Sequence, residues 1–140
     1  MNVHKTVFVG ELTVVFDLVV SVDPTKYIFL FKKEDNRIYI FSLGANFNHT
    51  ILLRQLYYKY RVSPMPTDVV VGGWTRLIDQ QVRFSGSSKK YSNRILGERV
   101  SNIIQSLLLT TSEGRSKRFL PKGERKINQL RKKYKILQRV

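Results

Sequence analysis

Runs of apolar residues broken by short polar segments dominate the first half of the chain. The segments KYIFLFKK (26–33) and RIYIFSL (37–43) are rich in β-branched and aromatic residues and are separated by the polar trio EDN (34–36). Two such strands joined by a short polar turn predict an antiparallel hairpin. Four further strands are predicted at TVFVG (6–10), LTVVFDLVVSV (12–22), DVVVGG (68–73) and QVRFSG (81–86). The unbroken apolar run of DVVVGG predicts a central position in a sheet.

Two other segments carry apolar side chains at spacings of three and four residues, which predicts helices with one buried face. The first helix is expected to begin near Asn48, a favourable N-cap residue, and to be ended by Pro64 and Pro66. The inward-facing positions are Ile51, Leu52, Leu56 and Tyr60 in the first helix and Val100, Ile103, Ile104, Leu107 and Leu108 in the second. The element order, ββββαββα, predicts an α/β fold in which a mixed β-sheet is sandwiched between two helices.

The amino-acid composition indicates how many domains the chain forms and excludes several kinds of site. The 140 residues fit one compact domain, and 42% hydrophobic with 11% aromatic residues is enough to form a core. The chain has no cysteine, which excludes disulfides, thiolate metal sites and a cysteine nucleophile. This composition fits an intracellular, reducing compartment, either the cytoplasm or an organelle matrix. No run of apolar residues approaches the roughly 20 that a membrane-spanning helix needs, so the sequence predicts no membrane span.

The net charge of +15 is concentrated at the C-terminal end. Residues 1–110 hold 14 lysines and arginines against 8 acidic residues, a balance of +6, whereas residues 111–140 hold 11 against 2, a balance of +9. Ser, Gly, Pro and charged residues open the second region, and Ile127, Leu130 and Tyr134 then recur at helical spacing. We therefore predict an α/β core domain over 1–110 and a basic linker with an amphipathic helical tail over 111–140.

Three roles remain open for this basic tail. Clustered cations bind the phosphate backbone of RNA, free or in a ribonucleoprotein, through contacts that depend on salt and not on sequence. The same charges would also suit an anionic membrane surface or an acidic protein, and the third role is a solvated extension. In the RNA-binding interpretation the contacting residues are Arg115, Lys117, Arg118, Lys122, Arg125, Lys126, Arg131, Lys132, Lys133 and Lys135.

The segment VRFSGSSKKYS (82–92) begins as an alternating strand and continues into Gly, Ser and Lys. Gly and Ser are common in simple turns between strands and helices. The same residues supply hydroxyl and backbone N–H groups that bind an oxyanion together, and Lys89 and Lys90 add positive charge. This segment alone leaves both interpretations open.

Four segments contain polar residues that follow one another along the chain in a defined order. They are TKYIFLF, with Lys26 before a tyrosine; ANFNHTILLRQL, with His49 opening a helix; VVVGGWTRL, with Arg76 after two glycines; and VRFSGSSKKYS, with a tyrosine three residues after Ser88. Over about residues 24–106 this pattern resembles the Janus and phosphohistidine phosphatase family. The resemblance implies the fold of that family and a phosphohydrolase acting on phosphohistidine in a protein substrate.

The resemblance also implies roles for individual residues. His49 would be the general base that takes a proton from the attacking water. The implied phosphate ligands are Lys26, Arg76, Ser88, Lys89 and Lys90. No cofactor is implied. The chain has two histidines and no cysteine, and neither histidine has a carboxylate three or four residues away, so the sequence indicates no metal site.

Three positions depart from the family's pattern. Phe41 stands where the family has an arginine, Thr75 is inserted before Arg76, and Ser92 replaces a glycine. These departures leave open a second function, a non-catalytic RNA-binding or ribosome-associated protein on the same fold. Trp74, which follows the glycine pair, is expected to cover the core rather than to stack on a base.

Overall fold

A computed structural model describes residues 1–85 and 94–109 of the chain, and within these residues six strands and two helices follow the predicted order ββββαββα. The strands are β1 (Asn2–Val9), β2 (Leu12–Val19), β3 (Thr25–Lys32), β4 (Arg37–Phe41), β5 (Val69–Ile78) and β6 (Gln81–Ser85), and the helices are α1 (His49–Tyr60) and α2 (Arg94–Leu108). The protein is therefore a mixed α/β fold, as its sequence predicts.

The six strands form one sheet in the order β1-β2-β4-β3-β5-β6. β3 and β4 pair antiparallel as the predicted hairpin, with Leu30 opposite Tyr39. β2 and β4 pair in parallel, so the sheet is mixed. β5 lies between β3 and β6, which confirms its predicted inner position.

Buried side chains on the two faces of β3 belong to two separate clusters. Phe29 belongs to the cluster that includes Ile104 of α2. Its neighbour Leu30 belongs to the cluster that includes Leu52 and Leu56 of α1. Because successive side chains of a strand point to opposite faces, the two helices contribute to the core on opposite faces of this strand.

The N-terminus of α1 is where the sequence predicts it, but the C-terminus is not. Asn48 is the N-cap, as predicted, and its side-chain oxygen accepts a hydrogen bond from the Ile51 backbone N–H at 2.8 Å. The prediction that prolines end the helix is wrong. The helix ends at Tyr60, ahead of Pro64, because Arg61 adopts the left-handed conformation (φ 58°) and its N–H caps a carbonyl of the last turn.

The apolar faces predicted for both helices are confirmed. The residues that are buried are Leu52, Leu56, Val100, Ile103, Ile104 and Leu107, and those that are partly buried are Ile51, Tyr60 and Leu108. The helical spacing therefore identified the side chains that pack on the sheet.

Candidate functional site

His49 and Lys26 lie within electrostatic range of each other, although 23 positions separate them in the sequence. Lys26 lies near the start of β3, and His49 is the first residue of α1. The His49 ring contacts the backbone of Gly73 on β5, and Gly73 is the pairing partner of Tyr27, the residue after Lys26. Two adjacent strands and the N-terminus of α1 therefore form this site.

The hydrogen bond to Gly73 fixes the tautomer of a neutral His49. The ring nitrogen Nε2 lies 3.1 Å from the Gly73 carbonyl oxygen. A carbonyl only accepts, so Nε2 carries the proton and donates it. The lone pair of the neutral imidazole then lies on Nδ1.

His49 is held in its neutral form. Burial lowers the pKa of the ring below the ordinary value of 6.5, and the positive charge of Lys26 lowers it further. Hydrogen bonds with the backbone of Gly73 and of Tyr27 act in the opposite direction, because they favour the charged ring, but burial outweighs them. The imidazole is therefore neutral at pH 7. Its hydrogen bonds with the backbone of Gly73 and of Tyr27 would stabilise the protonated ring.

Gly73 is confined by the Tyr27 ring. A Cβ atom at position 73 would lie 2.6 Å from the ring of Tyr27, so no larger residue fits without displacing that ring. The ring is itself fixed, since the Tyr27 hydroxyl hydrogen-bonds to Ser101 at 2.8 Å and Phe84 packs edge-on against it. The carbonyl that contacts His49 therefore belongs to a tightly packed backbone segment.

A surface pocket of about 320 Å³ opens beside Lys26, and the buried His49 is not among the residues that line it. Its lining includes Lys26 on β3, Trp74 on β5 and the loop residues Asn46, Phe47 and Asn48 that precede α1. The Lys26 ammonium lies 5.3 Å from the centre of the Trp74 ring. The pocket thus combines a cation, two aromatic side chains and two amides.

The other predicted site residues have different positions. Arg76 is exposed on β5, two residues beyond Trp74. Ser88, Lys89 and Lys90 lie outside the described residues, and so does the whole basic tail over 111–140.

The prediction that Trp74 covers the core is wrong. Its side chain is 38% exposed, whereas Val70 on the same face of β5 is partly buried against the α1 cluster. Trp74 lies nearer the end of β5, one residue past the Gly73 carbonyl that contacts the first residue of α1. The helix therefore does not cover it.

No family model, curated protein or solved structure matches this chain. Among the described residues no group of three or more histidine, aspartate or glutamate side chains is arranged to hold a metal ion. Neither described helix is long and apolar enough to cross a membrane.

Sequence reasoning missed the backbone partners of His49. Gly73 and Tyr27 contact the ring through main-chain atoms, and no residue type in the sequence marks such a contact. The signal that was present is the glycine pair 72–73 within an apolar strand, which is typical of a close approach to another group.

The lowered pKa of His49 predicts a pH-dependent stability. In the unfolded chain the imidazole titrates near its ordinary value of 6.5, so below that pH the unfolded state binds more protons than the folded state. The free energy of unfolding should therefore decrease as the pH falls from about 6.5 towards the lower pKa of the folded state. Urea unfolding between about pH 7.5 and pH 5.5 measures this slope.

The variant His49→Gln should lose this part of the slope, because glutamine keeps an amide donor for the Gly73 carbonyl and does not titrate. The matched control is His4→Gln, which keeps His49 and should therefore keep its contribution. An unchanged slope in His49→Gln would contradict the assigned pKa direction.

Proposed function

We propose that this protein is a phosphohydrolase of the phosphohistidine phosphatase kind, acting on a phosphorylated protein. The observation that carries the proposal is the neutral His49, held at the N-terminus of α1 within electrostatic range of Lys26, which lines an open pocket. A neutral imidazole can take a proton from the attacking water, and a cation and the positive end of a helix can both stabilise the negative charge of the phosphoryl group.

His49 acts as the general base through Nδ1. The water that attacks phosphorus transfers a proton to this nitrogen as the P–N bond to the substrate histidine breaks, while Nε2 keeps its hydrogen bond to the Gly73 carbonyl. The leaving imidazole nitrogen takes one proton from solvent, and His49 returns its proton to solvent after phosphate is released. The Gly73 and Tyr27 backbone contacts favour the protonated ring, so they lower the cost of accepting that proton. Lys26 stabilises the negative charge that spreads over the phosphoryl oxygens in the transition state.

We assign the remaining phosphate contacts to Ser88, Lys89 and Lys90 in the segment after β6, together with Arg76 on β5. Lys26 on β3 pairs with Trp74 on β5, and Trp74 pairs with Ser85, the last residue of β6. These three residues form a row across adjacent strands that lie about 4.8 Å apart. Ser85, at the end of β6, therefore lies in the same row as Lys26, which supports the assignment of the segment that follows it to this site.

The family fold is supported by the two separate core clusters. The α1 cluster and the α2 cluster include residues from opposite faces of β3, as expected for a sheet sandwiched between two helices. Phe41, which replaces an arginine of the family, is buried in the α1 cluster and packs edge-on against Tyr60. In the proposed site, Lys26 supplies positive charge to which that arginine would contribute in the family.

The first test is hydrolysis of a phosphohistidine peptide by the purified full-length protein in the presence of a chelator. Activity is expected to persist in the chelator, because the base and the cation are side chains of the protein. Lys26→Met should lower kcat by about 10²-fold, the usual effect of removing one transition-state donor.

The matched control is Arg54→Gln, which removes an exposed positive charge from the outer surface of α1. It should keep wild-type activity. The proposal fails if the wild-type protein releases no phosphate, or if Lys26→Met and Arg54→Gln are equally active.

A further inference from the structure

We propose that the face of β5 and β6 on the α1 side of the sheet binds single-stranded nucleic acid. The side chains on this face are the alternate residues Trp74, Arg76 and Ile78 of β5 and Gln81, Arg83 and Ser85 of β6. All six are exposed. We call this surface the β5–β6 face. This surface shares Trp74 and the neighbouring Lys26 with the pocket of the proposed phosphohydrolase site, but binding of nucleic acid there does not require the proton transfer assigned to His49.

Two arginines face each other directly on this surface. Arg76 and Arg83 are cross-strand partners on β5 and β6. Like charges in such a position destabilise a sheet. Neither arginine forms an ion pair within the described residues, and the hydrogen bond of Arg83 goes to the neutral amide of Gln81 at 2.7 Å. A phosphodiester lying between the two guanidinium groups would relieve their repulsion and accept hydrogen bonds from both.

Exposed aromatic rings lie beside this arginine pair. Trp74 is 38% exposed, and Phe47, which is 36% exposed, lines the same pocket. Trp74 lies two residues from Arg76 along β5, a separation of about 7 Å on one face of a strand. A base stacked on Trp74 therefore brings its backbone phosphates within reach of the arginines, and Lys26 adds a charge at the ring.

The ligand must present unpaired bases. Stacking on a tryptophan requires the flat face of a base, which a duplex conceals between neighbouring base pairs. Asn46 and Asn48 also line the pocket, and an amide can hydrogen-bond to the edge of a base. A peptide with acidic side chains would satisfy the arginines but would make no use of the aromatic rings.

The C-terminal region of the chain is excluded as the ligand of this surface, because both are positively charged. Residues 111–140 carry a balance of +9, so they would be repelled by the paired arginines. The tail and the β5–β6 face instead favour the same kind of partner. The tail would add affinity for any polyanion, whereas the β5–β6 face would add a requirement for bases.

The experiment uses the fact that Trp74 is the only tryptophan in the chain. The full-length protein is titrated with single-stranded oligouridine, with the same RNA as a duplex, and with inorganic polyphosphate, while tryptophan emission is recorded. Oligouridine should quench the emission in a saturable manner. Polyphosphate should bind without comparable quenching, because it has charge but no bases. Oligodeoxythymidine in the same assay tells whether the site distinguishes RNA from DNA.

Variants in the full-length chain test the contacts by anisotropy of a labelled oligouridine. Trp74→Ala should weaken binding about 5-fold to 150-fold, the range for losing one stacked base. Arg76→Gln combined with Arg83→Gln should reduce the slope of log affinity against log salt by about 1.4, since two phosphate contacts on a single strand are lost.

Matched controls remove comparable side chains from other surfaces. Tyr58→Ala removes an exposed aromatic ring from α1, and Arg37→Gln with Arg54→Gln removes two exposed arginines elsewhere. Both controls should bind oligouridine as the wild-type protein does. The proposal is overturned if oligouridine binds without quenching Trp74, if duplex RNA or polyphosphate quenches equally, or if the Trp74 and arginine variants bind no more weakly than their controls.

Discussion

His49→Gln is expected to lower the rate of phosphohistidine hydrolysis by about 10²-fold to 10⁴-fold, the usual contribution of a general base. Glutamine has nearly the size of histidine, and its amide can still donate to the Gly73 carbonyl that accepts from Nε2 in the native site. It has no nitrogen lone pair that can take a proton from water at neutral pH. The variant therefore removes the base while it preserves the local packing.

The pH profile separates a catalytic role from a structural one. Because the pKa of His49 lies below 6.5, the wild-type rate should stay high as the pH falls to about 6.5 and decline only in more acidic solution, where the imidazole becomes protonated. The residual rate of His49→Gln should not follow this decline. The matched control is His4→Gln, which changes the other histidine, on β1, and should retain the wild-type rate and profile.

The outcome that would contradict this role is a His49→Gln variant with wild-type kcat. A variant with reduced kcat but an unchanged acidic limb would instead indicate that another group controls the pH profile. Circular dichroism and urea unfolding of the same samples establish that the variant is folded before its kinetics are compared.

The local elements were predictable because their signals are local. The β3–β4 hairpin follows from two aliphatic and aromatic runs around a polar trio, and Asn48 identifies the start of α1 by its capping chemistry. The strand order did not follow in the same way. The parallel pairing of β2 with β4 joins segments that are separated by the whole of β3, so no neighbouring residues encode it.

The candidate site was predictable only in part. Resemblance to a family suggested that Lys26 and His49 act together, and the two side chains do lie within electrostatic range. The exposure of Trp74 was not predictable, because it depends on where α1 begins in space and not on the apolar character of its neighbours. The pairing of Arg76 with Arg83 likewise requires the register of β5 and β6.

Asp68→Ala is expected to destabilise the protein by about 3–5 kcal/mol, the cost of leaving a buried charge without its partner. The Lys32 ammonium lies 2.6 Å from a carboxylate oxygen of Asp68, and the Asp68 side chain is only 1% exposed. The carboxylate also accepts hydrogen bonds from the backbone N–H groups of Lys33 and Met65. Alanine would leave all three donors without this acceptor.

These contacts join the loop after α1 to the end of the hairpin. Lys32 is the last residue of β3 and also donates to the Ser63 carbonyl at 2.8 Å, while Asp68 directly precedes β5. Loss of the carboxylate would therefore loosen the entry into the strand that carries Gly73 and Trp74. The apolar pair Lys32→Met with Asp68→Ala should be less destabilised than the sum of its two single variants, because no buried charge remains.

The effect should depend on pH in a defined direction. Burial alone would raise the pKa of Asp68, but the hydrogen bond from Lys32, those from the Met65 and Lys33 backbone, and the charge of Lys32 outweigh it and hold the pKa below 3.8. The contribution of the carboxylate is therefore present above that pH and is lost as the pH falls through the lowered pKa. Urea unfolding at about pH 7 should give the full difference between wild type and Asp68→Ala, and the difference should narrow in acid. A difference below about 1 kcal/mol at neutral pH would mean that this pair behaves as an exposed surface ion pair.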